Sequence, residues 1–256
     1  MHRYVTTTLL LAVLTCGACL TPQKTERLEL KAEKNADYHY QLAANFFAEK
    51  MIPQALRELL LTIEIDENHA DALHLLGFIY QGRRNYTQAI TYYKRATAAR
   101  ENFYIAQNNL GTAMLAAGRY DEAAELYEGL TTKPMYNTPE LAYNNLGWAY
   151  YKQGDHLRAE ESIRMAIFLK PSLCLAQNNL GVVLLDRGDK TGARRAWTKA
   201  VNECPKYPEP HFHMGMLLHA RRDPKASEWF RRCYDLAPDS TWGDRCRSYL
   251  EVYPQR

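Results

Sequence analysis

Catalytic motifs and long apolar segments are both missing from this sequence of 256 residues. No HExxH, GxSxG or P-loop pattern is present. Basic and acidic residues nearly balance, 32 against 29, and the basic ones are scattered, so no clustered positive stripe is available for nucleic acid. Beyond the N-terminal segment, no apolar stretch is long enough to span a bilayer. We therefore expect neither an enzyme nor a nucleic-acid-binding protein, and no cofactor or small-molecule substrate.

Three histidines near the C-terminal end do not have the spacing of a metal site. His211 and His213 are two positions apart, so a helix points them to different sides, and His219 lies nearly two turns further on. Metal ligands on a helix need to share one face. We expect no bound metal.

Residues 1–18 are typical of a bacterial lipoprotein signal peptide. Residues 1–3 form a short basic region and residues 5–15 an apolar one. Small residues then precede Cys19, which is the arrangement in which a cysteine thiol receives diacylglycerol, although Cys16 departs from the Leu that is usual three positions earlier. The alternative is an ordinary cleavage site beside a free cysteine.

Acylation of Cys19 would determine where the protein resides. Each buried methylene of an acyl chain such as palmitate contributes about 0.8 kcal/mol, so several chains hold a protein on a membrane. Leu20 follows Cys19 in place of the Asp that retains lipoproteins at the inner membrane. We therefore expect a lipid anchor at the periplasmic face of the outer membrane, with residues 19–35 as the lipidated N-terminus and tether.

An internal repeat determines the expected fold. The strings QNNLG, YNNLG and QNNLG begin at positions 107, 143 and 177, and the pattern Leu-Gly, Tyr, Ala, aromatic, Pro extends around them. This is the pattern of the tetratricopeptide repeat (TPR), a pair of antiparallel helices. The third repeat carries a two-residue insertion near its end, and the sixth is one residue short. The six repeats are residues 36–69, 70–103, 104–139, 140–173, 174–207 and 208–240.

The repeat pattern predicts packing as well as helices. Gly at position 8 and Ala at position 20 are expected to face each other where the two helices of a repeat cross. Apolar residues at positions 7, 11, 24 and 27 should bury against the next repeat, and Pro at position 32 ends the second helix. We predict an all-α, right-handed superhelix. Residues 241–256 form a C-terminal capping helix with Trp242, Cys246, Tyr249 and Leu250 on its buried face.

Four cysteines remain beyond the signal peptide, and an even number in an exported protein favours disulfides. Cys174 begins the first helix of the fifth repeat and Cys204 ends its second helix, so antiparallel packing brings them together. Cys233 lies under the capping helix that carries Cys246. We predict both pairs; the alternative for Cys233 is a small buried residue in place of Ala.

The first helices of the repeats are expected to line an inner groove through positions 2, 5, 9, 12 and 13. Asn recurs at position 5 as a ladder of amides that could bond the backbone of an extended peptide, beside an apolar lining suited to a partner. The alternative is that this Asn merely copies the usual TPR Asn at position 6. No Lys/Arg set lines these positions, so a hydrophobic or amphipathic segment is the expected ligand. The groove residues are Tyr40, Phe47, Phe78, Asn108, Leu115, Asn144, Trp148, Tyr151, Asn178, Val182 and Leu185.

Cys19, the NNLG strings at 108–111, 144–147 and 178–181, and the 36-residue third repeat together resemble the PilF/PilW/Tgl family of type IV pilus biogenesis lipoproteins, the pilotins. The resemblance implies an outer-membrane pilotin that binds PilQ-like secretin subunits and promotes their membrane insertion and multimer assembly. It implies that Cys19 is acylated and that the groove holds the secretin. The alternative of the same construction is a TPR lipoprotein that scaffolds peptidoglycan enzymes.

Overall fold

A computed structural model of the protein describes residues 35–253. The expected signal peptide, Cys19 and nearly all of the tether lie outside these residues. The chain divides into two compact units, Met1–Glu67 and Asn68–Arg256. Within the described part of each unit all regular structure is helical, which confirms the all-α class. None of the helices in this part of the chain has the length and apolarity that a bilayer crossing requires.

The first unit contains one helical hairpin, α1 (Ala36–Ala48) and α2 (Ile52–Ile65). Asn35 caps α1 by accepting a hydrogen bond from the Asp37 amide at 3.0 Å. Small and branched apolar side chains bury where the two helices meet, and the buried carboxylate of Glu58 contacts His39 Nδ1 at 2.8 Å.

The second unit contains five further hairpins and a final helix. The hairpins are α3 (Ala70–Gly82) with α4 (Tyr86–Ala99), α5 (Tyr104–Ala116) with α6 (Tyr120–Thr131), α7 (Pro139–Gln153) with α8 (His156–Leu169), α9 (Cys174–Asp186) with α10 (Lys190–Glu203), and α11 (Pro208–His219) with α12 (Ala226–Leu236). The final helix is α13 (Thr241–Leu250). The first helix of the third of these hairpins, α7, begins with a proline, Pro139, in its first turn.

The turn inside every hairpin uses a left-handed residue at the same repeat position. In three repeats this residue is glycine, as at Gly154 with φ 85°. In the other three it is a basic residue: Lys50, Arg84 or Arg222, with φ between 56° and 61°. Left-handed backbone costs a residue with a Cβ about 1–2 kcal/mol, so these three turns are strained relative to the glycine turns.

In each repeat with a glycine at position 8, the side chain at position 24 packs against that glycine where the two helices cross. A Cβ added at Gly181 would lie 2.5 Å from Cε2 of Trp197, and one at Gly111 would lie 2.7 Å from Cε2 of Tyr127. The glycine therefore makes room for the side chain at position 24, an approach that the repeat pattern did not identify. At Gly147 position 20 also approaches, through the Ala159 carbonyl at 2.8 Å.

The capping helix α13 covers the last repeat as predicted. Cys246 is buried, and Trp242, Tyr249 and Leu250 pack against the cluster around Phe230. Disulfides join both predicted pairs, Cys174 to Cys204 with Cα atoms 6.1 Å apart and Cys233 to Cys246 with Cα atoms 6.2 Å apart. The second bond fixes α13 to α12.

Candidate functional site

One cleft of about 570 Å³ lies across the first helices of the last three repeats and the capping helix, and is called the A-helix cleft below. Four elements supply its walls: α7, α9, α11 and α13. It lies wholly within the second unit. The residues that line it are Asn144, Asn145, Trp148, Tyr151, Lys152, Leu175, Asn178, Asn179, Val182, Glu209, His213, Trp242 and Arg245.

The cleft gathers five of the predicted groove residues: Asn144, Trp148, Tyr151, Asn178 and Val182. The remaining predicted residues do not line it. Four of them lie elsewhere in the second unit: Asn108, Leu115 and Leu185 are half-buried, and Phe78 is 48% exposed. The other two, Tyr40 and Phe47, are half-buried in the first unit.

The asparagine ladder serves the protein's own packing, which corrects the sequence expectation. Asn144 is 1% exposed; its Nδ2 donates to Asn145 Oδ1, and its Oδ1 accepts from Asn179 Nδ2, both at 3.0 Å. Asn145 Nδ2 reaches Asn108 Oδ1 at 3.4 Å and the Tyr127 hydroxyl at 3.2 Å. Buried amides must find partners, and here adjacent repeats supply them. These amides link repeat to repeat and are not free for a peptide backbone.

Asn178 is the exception within this network. It is 2% exposed, and its Nδ2 donates to Glu209 Oε2 at 3.1 Å. The same carboxylate oxygen accepts from the Tyr207 hydroxyl at 2.7 Å, and burial raises the Tyr207 pKa above its usual range. Asn178 lines the cleft, and its Oδ1 atom is buried and accepts no hydrogen bond from any residue among 35–253. Such an unmatched acceptor is costly in a folded protein.

The α7 wall of the cleft is aromatic and carries a cation. The Trp148 and Tyr151 rings lie 4.9 Å apart, and Lys152 Nζ lies 4.9 Å from the Trp148 ring centroid. The Tyr151 hydroxyl donates to Asp186 Oδ2 at 2.7 Å, and burial together with this carboxylate raises the Tyr151 pKa to about 12. Tyr151 is therefore held in place by α9, while the Trp148 face remains half-exposed.

The opposite wall combines α11 with the capping helix. The His213 ring stacks on buried Trp197 at 5.0 Å between centroids and meets Trp242 edge-on at 5.9 Å. Burial lowers the His213 pKa to about 4, with nearby Arg245 adding to the effect, so the ring is neutral at pH 7. The Arg245 guanidinium lies over Trp242 at 4.4 Å, a cation–π contact.

Two cations therefore line the cleft, contrary to the sequence expectation of a groove without a Lys/Arg set. Lys152 occupies position 13 of its repeat, which is one of the expected groove positions, and Arg245 comes from the capping helix. Lys152 was not among the predicted groove residues although it lies at a groove position, and Arg245 was missed because the repeat pattern treats the cap only as a cover. Trp242 and Arg245 are three positions apart and so share one face of α13, which was the available signal for a cleft wall.

Tyr136 is a second residue that the repeat pattern did not identify. It lies in the two-residue insertion before α7, is buried, and packs on Tyr104 at 5.7 Å. Its hydroxyl donates to Asn108 Oδ1 at 3.5 Å. The insertion thus supplies one of the two donors to Asn108 Oδ1, the other being Asn145 Nδ2.

The C-terminal histidines have separate roles in packing. The His211 Nε2–H donates to the Pro205 carbonyl at 3.2 Å, and burial lowers the His211 pKa. His219 Nδ1 lies 2.8 Å from the Tyr253 hydroxyl. Over residues 35–253 no group of three or more His, Cys, Asp or Glu side chains has the geometry of a metal site.

The chain belongs to the tetratricopeptide repeat family, whose model matches residues 74–138 and 145–209, about half of the sequence. Its fold is similar to that of PilW, a widely conserved type IV pilus biogenesis factor: the TM-score is 0.70 at 19% identity, over 82% of this chain and 97% of that one. It is also similar to PilF of Pseudomonas aeruginosa, with a TM-score of 0.64 at 19% identity, over 86% and 99% of the two chains. At this identity the likeness establishes the fold.

Curated relatives match the repeats at low coverage of their own length. The UDP-N-acetylglucosamine–peptide N-acetylglucosaminyltransferase of Giardia intestinalis is 31% identical over 114 residues, which are 43% of this chain and 8% of that enzyme. The chain spans between 8% and 24% of the first relatives of this kind. The shared feature is the repeat itself.

Proposed function

We propose that the protein is an outer-membrane lipoprotein pilotin that binds PilQ-like secretin subunits through the A-helix cleft and promotes their insertion and multimer assembly for type IV pili. The protein acts by binding rather than by catalysis. An acyl anchor at Cys19 would hold it at the periplasmic face of the outer membrane, where secretin subunits insert.

The observation that supports this proposal is a cleft with a half-exposed tryptophan and two charged side chains, in a fold shared with PilW and PilF over most of each chain. Aromatic side chains in a cleft are frequent centres of protein–protein binding energy. PilW is a type IV pilus biogenesis factor, and the transfer of that role to this chain is part of the proposal.

Deletion of the gene tests the function directly. We expect secretin multimers to disappear from outer-membrane fractions while secretin monomers remain, as judged by immunoblotting. Complementation with Trp148→Ala should restore fewer multimers than the wild-type chain. Phe168→Ala is the matched control, because Phe168 is an exposed aromatic residue on α8 outside the cleft, and it should restore multimers fully.

Multimers that persist after deletion would reject the pilotin. If cell-wall enzymes were displaced at the same time, the peptidoglycan scaffold would be the better assignment.

The lipid anchor is tested separately with Cys19→Ala. Metabolic labelling with a palmitate analogue should modify the wild-type protein and leave this variant unlabelled, and the variant should move from the membrane to the soluble fraction. Labelling of the variant would show that Cys19 is not the acceptor.

A further inference from the structure

The A-helix cleft contains unmatched groups of two kinds. Lys152 and Arg245 line it, and within residues 35–253 neither is ion-paired with a carboxylate; each lies instead over aromatic rings. The Asn178 Oδ1 atom is buried in its lining without a hydrogen-bond donor. The cleft thus offers positive charge and one acceptor for an N–H group.

The one carboxylate that lines the cleft is already engaged. Glu209 Oε2 accepts from both Tyr207 and Asn178. It fixes the Asn178 amide with Nδ2 turned to Glu209, which leaves Oδ1 as the free end. Glu209 thus determines which end of the Asn178 amide is without a partner.

A peptide segment satisfies these groups together. Every non-proline residue supplies a backbone N–H, and an acidic side chain supplies the negative charge that Lys152 and Arg245 lack. The Trp148 and Trp242 rings provide apolar surface for flanking side chains. Because the walls come from three successive repeats and the cap, the cleft suits an internal segment rather than a single terminal residue.

We propose that the A-helix cleft binds an internal peptide segment in which an Asp or Glu side chain contacts Lys152 and Arg245, a backbone N–H donates to Asn178 Oδ1, and apolar side chains contact the two tryptophans. This inference deepens the proposed function, since it names the chemistry of the client segment. It replaces the purely hydrophobic ligand that the repeat pattern indicates.

Synthetic peptide pools test the charge preference with purified protein. All peptides are acetylated and amidated, the central residue is fixed as Glu, Gln or Lys, and the other positions are uncharged mixtures. We expect the Glu pool to bind about tenfold more tightly than the Gln pool, as two partly exposed ion pairs would give. The preference should shrink as salt is raised, because salt screens exposed charges.

The double variant Lys152→Gln/Arg245→Gln should bind the Glu and Gln pools equally. Both side chains are exposed, so the fold should persist, which far-UV circular dichroism checks. The matched control is Lys190→Gln/Arg194→Gln, which removes the same two charges from exposed positions on α10 outside the cleft and should keep the preference.

Methylation of single peptide nitrogens tests the Asn178 contact. Methylation at one position of a selected Glu peptide should weaken binding at least severalfold, and the indole resonances of Trp148 and Trp242 should shift when the unmethylated peptide binds. Uniform tolerance of methylation would remove the Asn178 contact from the proposal.

Three results would overturn the assignment: equal binding of the Glu and Gln pools, preference for the Lys pool, or stronger binding of a Gln peptide with a free C-terminal carboxylate. Since these measurements use peptides and no secretin, a failure of secretin assembly to depend on the protein would leave them intact. Conversely, secretin assembly could depend on the protein while these peptides show no preference.

Discussion

Gly181→Ala is expected to destabilise the protein although alanine is the better helix former. The added methyl would lie 2.5 Å from Cε2 and 2.7 Å from Cδ1 of Trp197, where carbon atoms normally approach to about 3.5–4.0 Å. Trp197 is fully buried and its indole N–H donates to the Asn178 carbonyl at 3.1 Å. The ring must therefore move by about 1 Å within a packed core.

The magnitude follows from three contributions. Overpacking a core costs about 1–3 kcal/mol, and loss of a buried hydrogen bond costs about 1–3 kcal/mol. Alanine recovers about 1 kcal/mol of helix propensity relative to glycine. The free energy of unfolding should fall by about 3 kcal/mol, which lowers Tm by roughly 10 °C for a chain of this size.

Thermal unfolding followed by far-UV circular dichroism measures the change. Gly129→Ala is the control, because Gly129 lies inside α6 with no atom within 4 Å of an added methyl; this variant should be stabilised by up to about 1 kcal/mol. In a double-mutant cycle, Gly181→Ala should lower the free energy of unfolding much less in the Trp197→Leu background than in the wild-type protein. A Gly181→Ala protein as stable as Gly129→Ala would refute the crossing geometry.

Three further predictions concern turns, disulfides and pH. Arg84→Gly and Arg222→Gly should each raise the free energy of unfolding by about 0.5–1 kcal/mol, because glycine adopts the positive φ of these turns without strain. Urea titration measures the change. A loss of stability would show that the arginine turns are not strained. Replacing Cys233 and Cys246, which are 13 residues apart, with alanine should lower the free energy of unfolding by about 3 kcal/mol. In the wild-type protein, alkylation should add mass at these thiols only after reduction. A wild-type melting temperature that does not change with reductant would argue against the bond. Because the folded-state pKa of His213 is about 4 and the unfolded value near 6.5, the unfolded chain binds the proton first as pH falls. The stability that this residue contributes is complete above pH 6.5 and declines, by up to about 3 kcal/mol, as pH falls towards 4. The His213→Phe variant should show a smaller change in the free energy of unfolding between pH 6.5 and 4. An unchanged slope would show that the ring is not buried as described.

The repeat pattern predicted the helices well because it encodes local and nearest-neighbour packing. Position 8 glycines, apolar faces and the cap residues such as Cys246 each report an interaction within one repeat or with the next one. Both cysteine pairs followed from the antiparallel geometry of a hairpin and its cap. These relations depend on short sequence separations, which a periodic pattern represents directly.

The cleft was harder to predict because its chemistry depends on what each polar group already contacts. Asn144 and Asn178 occupy the same repeat position, yet Asn144 has both ends of its amide engaged and Asn178 has one free. The Asn144 Oδ1 atom accepts from Asn179, at position 6 of the next repeat, whereas position 6 of the sixth repeat is His213. A repeat position cannot specify such a contact, since it varies from one repeat to the next.

The capping helix therefore forms a wall of the A-helix cleft as well as covering the end of the array. Trp242 and Arg245 line the cleft, while Cys246 on the same helix is bonded to Cys233 beneath. The attachment of α13 to the last repeat through Cys246 therefore also fixes the position of Trp242 and Arg245 in the cleft wall. Weakening the attachment of α13 should loosen Trp242 and Arg245 before it affects α7 or α9, whose cleft residues are held by the asparagine network. Loss of the Cys233–Cys246 bond should consequently reduce the preference for acidic peptides at temperatures where the repeats remain helical, a separation that would not occur if the cap served only to cover the core.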